Sequence, residues 1–173
     1  SSNWNNSIYS NVINNKNGHG FVLFTNAYNN VVHSNVVKVN ASTGIYLTNS
    51  NNNTIYNNTL MANGTNGRGI FLLGSANNFI FNNNVTGWSA ATGSYGIYLY
   101  NNNTNNTFWN NTIYTVQTRV YILNSSFNTF ENDTLLETTT KTNYDIYSID
   151  NSINNNFTGL VFNKTDIAFG AGF

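Results

Sequence analysis

The chain repeats one short unit almost from end to end. In its clearest copy, residues 44–60, the unit reads GIYLTNSNNNTIYNNTL, with two runs of alternating apolar residues that are each followed by Asn-rich polar residues. The anchor residue before the first run recurs in steps of 24, 25, 27, 23, 26 and 21 residues, at Gly20, Gly44, Gly69, Gly96, Arg119, Asp145 and Asp166. A period in the twenties is typical of a solenoid, whose units stack because no unit can bury its own apolar face.

Three columns of apolar residues appear when the copies are aligned, all on the same side of the alternating runs. The first contains Phe21, Leu23, Ile45, Leu47, Ile70, Leu72, Ile97, Leu99, Val120, Ile122 and Ile146. The second contains Ile8, Val32, Ile55, Ile80, Phe108, Phe130 and Phe157, and the third contains Ile13, Val37, Leu60, Val85, Ile113 and Leu135. An amphipathic helix would need apolar residues at i, i+3, i+4 and i+7, which this alternation lacks. We therefore predict an all-β fold with one domain over residues 1–173, a parallel β-helix (β-solenoid) of about seven turns of 21–27 residues. Each turn would have three short strands, paired ~4.8 Å from the next turn.

Asn occupies two further columns, at the polar corners between the runs. One contains Asn6, Asn30, Asn53, Asn78, Asn106, Asn128 and Asn155, and the other contains Asn11, Asn35, Asn58, Asn83 and Asn111, followed by Asp133. Stacked at strand spacing, each side-chain amide can donate to one neighbouring turn and accept from the other, which predicts Asn ladders. We also expect these Asn to adopt the left-handed backbone conformation that sharp corners require.

Three insertions lengthen the repeat, at residues 63–67, 88–94 and 137–144. All are expected to leave the same corner, between the third strand and the next anchor. In repeat proteins such insertions gather on one face, which is often the binding face.

The G-I-Y-L…N-N-T-I…N-N-T unit, present at residues 44–60, 69–85 and 96–113, resembles the right-handed parallel β-helix repeat. That repeat occurs in pectin-degrading enzymes, in nitrous oxide reductase maturation proteins and in many archaeal and bacterial surface proteins. The Asn/Thr-rich, Pro-free version found here most resembles the archaeal cell-surface members. The resemblance covers residues 6 to about 162 and implies a right-handed coil. It implies little about activity, because the motif is structural.

The composition narrows the classes of partner. The net charge is zero, only 7% of residues are charged, and Lys and Arg are scattered, so we expect no binding of nucleic acid or of an anionic membrane. No apolar run approaches the ~20 residues that span a bilayer, so no membrane insertion is expected. The absence of Cys excludes disulfides and thiolate metal sites. An Asn-rich chain could be a disordered tract, but the ordered apolar spacing favours a folded protein.

N-glycosylation sequons are frequent. They begin at Asn5, Asn40, Asn52, Asn57, Asn63, Asn84, Asn102, Asn105, Asn110, Asn124, Asn132, Asn156 and Asn163. Chance in an Asn/Thr-rich chain accounts for most of them, yet a secreted, glycosylated surface protein fits the composition. The chain begins at Ser1 with neither Met nor signal peptide, which we interpret as a processed mature form or a part of a longer chain. We expect an extracellular or cell-surface location.

The sequence offers little for catalysis. Its acids are Glu131, Asp133, Glu137, Asp145, Asp150 and Asp166. Glu131 and Asp133 could share a face of one strand, as the two carboxyls of a glycosidase would, but Asp133 falls in an Asn column and suggests a structural replacement. Asp145 stacks on Arg119 of the preceding turn, which predicts an ion pair. His19 and His33 lack adjacent carboxylates and make poor metal ligands. We predict no enzyme activity, no metal and no cofactor.

Aromatic residues alternate with the core columns and should face outward. One column contains Tyr46, Phe71, Tyr98, Tyr121 and Tyr147, and the other contains Tyr9, Tyr56, Phe81 and Trp109, with His33 between the first two. Cross-strand stacking of good β-formers is the plain explanation. An aromatic stripe is nevertheless larger than a soluble monomer usually leaves bare, so either a protein surface covers it or it stacks on sugar rings.

The ends of the chain lack an evident charged, amphipathic cap of the kind that usually covers a β-helix. We therefore expect an extracellular structural protein, which pairs with itself head to tail into a filament or sheath. The alternative is a carbohydrate-binding or carbohydrate-active surface domain that uses the aromatic stripe. Ice binding is disfavoured because Val31 and Phe79 interrupt the column that contains Thr54, Thr107 and Thr129.

Overall fold

In the computed structural model, which describes residues 3–89, 93–137, 144–163 and 167–170, the chain forms three parallel sheets of seven strands. Sheet 1 contains β3 (Phe21–Phe24), β6 (Thr43–Thr48), β9 (Arg68–Leu73), β12 (Tyr95–Tyr100), β15 (Thr118–Leu123), β18 (Ile146–Ile149) and β21 (Ile167–Phe169). Sheet 2 contains β1 (Ser7–Tyr9), β4 (Val31–His33), β7 (Thr54–Tyr56), β10 (Phe79–Phe81), β13 (Thr107–Trp109), β16 (Thr129–Glu131) and β19 (Asn156–Thr158). Sheet 3 contains β2 (Val12–Asn15), β5 (Val36–Asn40), β8 (Thr59–Asn63), β11 (Asn84–Gly87), β14 (Thr112–Thr115), β17 (Thr134–Glu137) and β20 (Val161–Phe162).

The register of sheet 1 reproduces the predicted repeat. Its outer column pairs Val22, Tyr46, Phe71, Tyr98, Tyr121, Tyr147 and Ala168 in turn, with separations of 24, 25, 27, 23, 26 and 21 residues. These are the steps read from the anchors. The predicted β-solenoid with three short strands per turn is therefore confirmed, and it comprises six steps between the seven strands of each sheet.

The core runs along the axis of the solenoid. The three predicted apolar columns point inward from the three sheets, and in the central turns most of these side chains are fully buried. The anchor glycines pack where the chain enters sheet 1. A Cβ on Gly69 would lie 2.1 Å from Cγ1 of Val85 and 2.7 Å from the carbonyl oxygen of Gly96, so the close approach of sheet 3 and of the next turn requires glycine there.

The insertions all connect sheet 3 to sheet 1, as predicted. They lie between β8 and β9, between β11 and β12, and between β17 and β18, and we call this edge the insertion corner. Residues 90–92 and 138–143 of two of the insertions lie outside the described part. Within the described residues no helix is long and apolar enough to cross a membrane.

One local expectation was wrong by a single position. The ladder Asn residues do not adopt the left-handed conformation; the residue before each of them does, as at Asn52 (φ 57°), Asn57 (φ 53°) and Asn105 (φ 54°). The two residues of each corner have different structural roles. The first residue reverses the chain direction, and the second turns its side chain inward to bond with the turns on either side.

Candidate functional site

Two ladders of hydrogen-bonded Asn side chains connect the corners of successive turns, as predicted. In the ladder between sheets 2 and 3, Nδ2 of each of Asn11, Asn35, Asn58, Asn83 and Asn111 donates to Oδ1 of the next member at 2.9–3.0 Å, and the ladder ends on Asp133. The backbone N–H of each donor residue bonds to the same oxygen, at 2.7–3.0 Å. In the central turns these amides are buried and hydrogen-bonded, so the ladders serve the fold and leave no group there for a ligand.

A third ladder was missed from the sequence. It lies between sheets 1 and 2 and contains Ser50, Ser75, Asn103, Ser125 and Ser152, all buried. Each backbone N–H donates to the side-chain oxygen of the next member at 2.9–3.3 Å. Its members include both Ser and Asn and lie six or seven residues after the anchors, so no uniform column marks this ladder in the sequence.

None of the thirteen sequon asparagines is buried, and the structure explains why sequons are so frequent. Eight of them, including Asn52, Asn57 and Asn105, occupy left-handed corner positions. Each of these three precedes a buried ladder Asn, and a Thr follows that Asn at the start of the next strand. The triplet Asn-Asn-Thr is thus what a corner of this solenoid requires. The sequons at such corners therefore follow from the fold and not from composition alone.

The aromatic column of sheet 2 forms a stack of nearly parallel rings. Tyr9, His33, Tyr56 and Phe81 follow one another with centroids 4.7–5.0 Å apart and interplanar angles of 4–8°. The stack ends at Trp109, which is tilted by 51° from Phe81, with the ring centroids 6.2 Å apart. Because the inner rings cover each other's faces, they present mainly edges to solvent.

The aromatic column of sheet 1 is less exposed than predicted. Phe71 lies between Tyr46 and Tyr98, with centroids 4.7 and 4.9 Å away. The guanidinium of Arg68 lies 4.7 Å from the centroid of Phe71 and 5.0 Å from that of Tyr98. Phe71 is consequently only 7% exposed and is a buried member of the column, although its strand position faces outward.

Further ring contacts join five tyrosines at the far end of this column, and we call this group the tyrosine patch: Tyr95, Tyr98, Tyr121, Tyr144 and Tyr147. Tyr95 stacks on Tyr121 at 4.7 Å, and Tyr144 stacks on Tyr147 at 4.9 Å. Tyr98 meets Tyr121 edge to face at 81°, so the parallel stack ends there. Burial raises the pKa values of Tyr98 and Tyr121 to about 12. The patch borders the insertion corner, which supplies Tyr144. Neither Tyr95 nor Tyr144 was among the residues predicted to face outward.

Glu131 and Asp133 do not lie together as the two carboxyls of a glycosidase would. Glu131 ends β16, whereas Asp133 lies in the following corner and is fully buried, so the expectation that they share a face of one strand was wrong. Asp133 accepts hydrogen bonds from Asn111 as the last member of its ladder, which confirms the structural replacement. Burial raises the pKa of Asp133 to about 6.

Asp145 and Arg119 form the predicted ion pair. Nε of Arg119 lies 3.4 Å from Oδ1 of Asp145, with both side chains fully buried. The two histidines lie apart from all these acids. Nδ1 of His19 lies 2.9 Å from Oγ of Ser42, and His33 lies within the aromatic stack. In the described part of the chain, no three His, Asp or Glu residues lie close enough together to hold a metal ion.

Charge is divided along the solenoid axis, which the net charge of zero concealed. Residues 1–118 contain Lys16, Lys38 and Arg68 and no acid, for a formal charge of +3. Residues 119–173 contain the other three cations and all six acids, for a formal charge of −3. Because successive turns stack in chain order, the early turns are positive and the late turns are negative. Six steps of ~4.8 Å separate the first and last strands of a sheet by about 29 Å, which exceeds the ~8 Å Debye length at physiological salt.

Core side chains are accessible at the first and the last described turns. Ile8 and Phe21 are only half-buried and line a cavity of about 290 Å³ with Leu23 and Ala27. At the other side, a cavity of about 230 Å³ is lined by Ile146, Phe157, Leu160, Phe162, Ile167 and Phe169. Within the described residues, no donor reaches Oδ1 of Asn6 or of Asn11, the first members of two ladders. Both faces thus present apolar side chains, and the first face also presents unused ladder acceptors.

Comparisons with known proteins agree with this architecture. The sequence profile of the family described as right-handed β-helix region matches residues 1–113. A search of curated proteins gave no match. Among solved structures, the A-module of a mannuronan C-5 epimerase from Azotobacter vinelandii is similar, with a TM-score of 0.56 and 14% identity. The alignment covers 98% of this chain, which spans 58% of that chain's length, and at this identity the likeness concerns the fold alone.

Proposed function

The chain belongs to the right-handed β-helix family, and from that premise we propose that it is an extracellular structural domain that stacks end to end with copies of itself. The observation that carries the proposal is the division of charge along the axis, +3 over residues 1–118 and −3 over residues 119–173. Two copies placed head to tail bring turns of opposite charge together, whereas head-to-head and tail-to-tail contacts bring like charges together. The charge distribution therefore favours one polarity of stacking.

The two faces are also complementary in their chemistry. Each presents apolar core side chains, and unpaired strand edges of parallel sheets can pair with a further turn of the same register. The Oδ1 atoms of Asn6 and Asn11 can accept hydrogen bonds from amides of another turn. A heterologous contact of this kind does not close on itself unless its rotation closes a ring, so it extends into a filament or sheath. The exposed sequon positions support an extracellular, glycosylated surface for such an assembly.

Sedimentation velocity and electron microscopy at micromolar protein concentration test the proposal. We expect particles larger than one chain, elongated along one axis, whose fraction falls as salt is raised because salt screens the contact between opposite charges. A variant that removes two accessible acids of the late turns, Glu131→Gln with Asp150→Asn, should assemble less than the parent chain. The charge-conserving control, Glu131→Asp with Asp150→Glu, should assemble as the parent chain does. A strictly monomeric protein at low salt would contradict the proposal.

Carbohydrate binding at the aromatic columns is a second candidate function. It is favoured by the end of the parallel ring stack of sheet 2 at Trp109, whose ring is tilted away from Phe81 and is 37% exposed. Glycan-array binding that is lost in Trp109→Ala or Tyr98→Ala would support this function. Tyr56→Ala is the matched control, since both faces of Tyr56 are covered by neighbouring rings. Equal loss of binding in all three variants would indicate general destabilisation and would argue against a sugar site.

A further inference from the structure

A polar cavity opens on the outer side of sheet 3 in the first turns. It has a volume of about 510 Å³, within the range of ligand-binding sites, and its lining includes Asn14, Asn15, Lys16, Lys38, Asn40 and Asn63. No catalytic, ladder or aromatic residue of the preceding sections belongs to it. The cavity is therefore separate from the surfaces already described.

Strand pairing places the two lysines of this cavity close together. Asn14 of β2 pairs with Lys38 of β5, and Lys16 follows Asn14 by two residues. Lys16 directly follows the last residue of β2, and both lysines line the cavity. Both side chains are exposed, so both ammonium groups reach the same solvent-filled space.

Neither lysine has a counter-ion in this part of the chain. Residues 1–118 contain no acid, and the first acid in the chain is Glu131 on β16. Lys38 lies in the same turn as β4, and four strand steps separate β4 from β16 in sheet 2. That separation of about 19 Å exceeds the ~8 Å Debye length. Among the described residues, no group accepts a hydrogen bond from Lys16 or Lys38, and the side-chain amides of Asn14 and Asn40 make no hydrogen bond either.

We propose that this cavity binds an acidic saccharide, with Lys16 and Lys38 contacting its anionic groups and the Asn side chains contacting its hydroxyls. Two ammonium groups without counter-ions attract carboxylate or sulfate groups, and amides both donate to and accept from hydroxyls. Two lysines are too few for the run of phosphate contacts on which nucleic-acid binding depends. A saccharide that carries several anionic groups matches the pair of lysines better than a single small anion does.

Two of the residues that line this cavity are also potential N-glycosylation sites. Asn40 and Asn63 line the cavity and both begin sequons, and they face each other in the pairing of β5 with β8. A glycan on either residue occupies the space that an acidic saccharide needs. The binding experiment therefore uses chain produced without N-glycosylation.

Isothermal titration calorimetry with three oligosaccharides tests the inference: an oligogalacturonate, a sulfated dextran oligosaccharide and a neutral malto-oligosaccharide. Protein is held at a concentration at which sedimentation shows single chains, so the result does not depend on end-to-end stacking. We expect binding of one or both acidic probes, weakened by salt, and no binding of the neutral one. The carboxylated and sulfated probes distinguish the two possible sources of negative charge.

Two double variants test whether the saccharide binds at Lys16 and Lys38. Lys16→Gln with Lys38→Gln should weaken it by about tenfold or more, as expected for the loss of two accessible charge contacts. Lys141→Gln with Lys164→Gln removes the same charge elsewhere along the chain and should leave it unchanged. The inference is overturned if the neutral probe binds as well as the acidic ones, if neither acidic probe binds, or if both pairs of substitutions weaken binding equally. Tighter binding of a single-stranded oligonucleotide would also overturn it.

Discussion

Replacing Asp133 with Asn should make the protein more stable at neutral pH. Asp133 is the only acid in a ladder whose earlier members are Asn, and it is fully buried. Its Oδ1 accepts two hydrogen bonds from Asn111, whereas its buried Oδ2 has no hydrogen-bond partner. At the equivalent position of Asn83, the Nδ2 atom donates to the carbonyl oxygens of Ile55 and Phe81. In this ladder the second polar atom of each side chain lies beside backbone carbonyl oxygens, which accept hydrogen bonds. An amide nitrogen can donate to them, whereas the ionised Oδ2 of Asp133 cannot.

The size of the expected gain in unfolding free energy follows from the pKa of Asp133. Burial raises the pKa of Asp133 from 3.8 to about 6, against the lowering effect of the Asn111 hydrogen bonds. Because the folded-state pKa is the higher one, the protonated form is favoured by folding. Its stabilising contribution is fully present below about pH 4 and is lost as the pH rises through about 6. A shift of about two units corresponds to about 3 kcal/mol of unfolding free energy.

Urea and thermal unfolding of the parent chain and of Asp133→Asn, at pH 4 and at pH 8, measure this effect. At pH 8 the variant should be more stable by up to about 3 kcal/mol, or about 6–12 °C in Tm for a chain of this size. At pH 4 the difference should largely vanish, since the parent is then protonated. Asp150→Asn is the control, because it removes the same charge at an exposed corner position. An equal gain at both pH values, or no gain at pH 8, would refute the reasoning.

Three further predictions concern the ladders, the buried ion pair and the tyrosine patch. Asn83→Ala should destabilise the protein by about 3–5 kcal/mol in urea unfolding, because it leaves buried donors and acceptors in three adjacent turns without partners. Arg119→Met should cost about 3–5 kcal/mol by leaving Asp145 buried without its cation, and adding Asp145→Leu should recover much of that loss. In a spectroscopic pH titration, Tyr98 and Tyr121 should ionise near pH 12, because burial disfavours the charged phenolate.

Each of these three predictions can be contradicted by a specific result. Loss of less than about 1 kcal/mol in Asn83→Ala would show that water replaces the ladder amide. A double variant at Arg119 and Asp145 that is no more stable than Arg119→Met alone would show that the cost comes from packing and not from the uncompensated charge. A single tyrosine transition near pH 10 would show that the patch is hydrated.

The repeat, the three strands of each turn and the inward columns could be predicted from the sequence, because alternation of apolar residues and the spacing of the anchors are local properties. Ile55 and Leu60 could be assigned to the core from their neighbours alone, and both are fully buried. Asn58 could be assigned to a ladder because its column is almost entirely Asn. The ladder of Ser50 was missed because its members change residue type, although the geometry that joins them is the same.

Which outward residues are covered, and which groups meet across turns, could not be predicted without the three-dimensional structure. Phe71 has the outward parity of an exposed residue, yet Arg68 and two neighbouring rings bury it, and no local pattern records that contact. Lys16 and Lys38 appear scattered in the chain, and strand pairing brings them to one cavity. The reason is physical. Periodicity sets the direction in which a side chain points, while burial and electrostatics depend on long-range neighbours that the stacking of whole turns brings together.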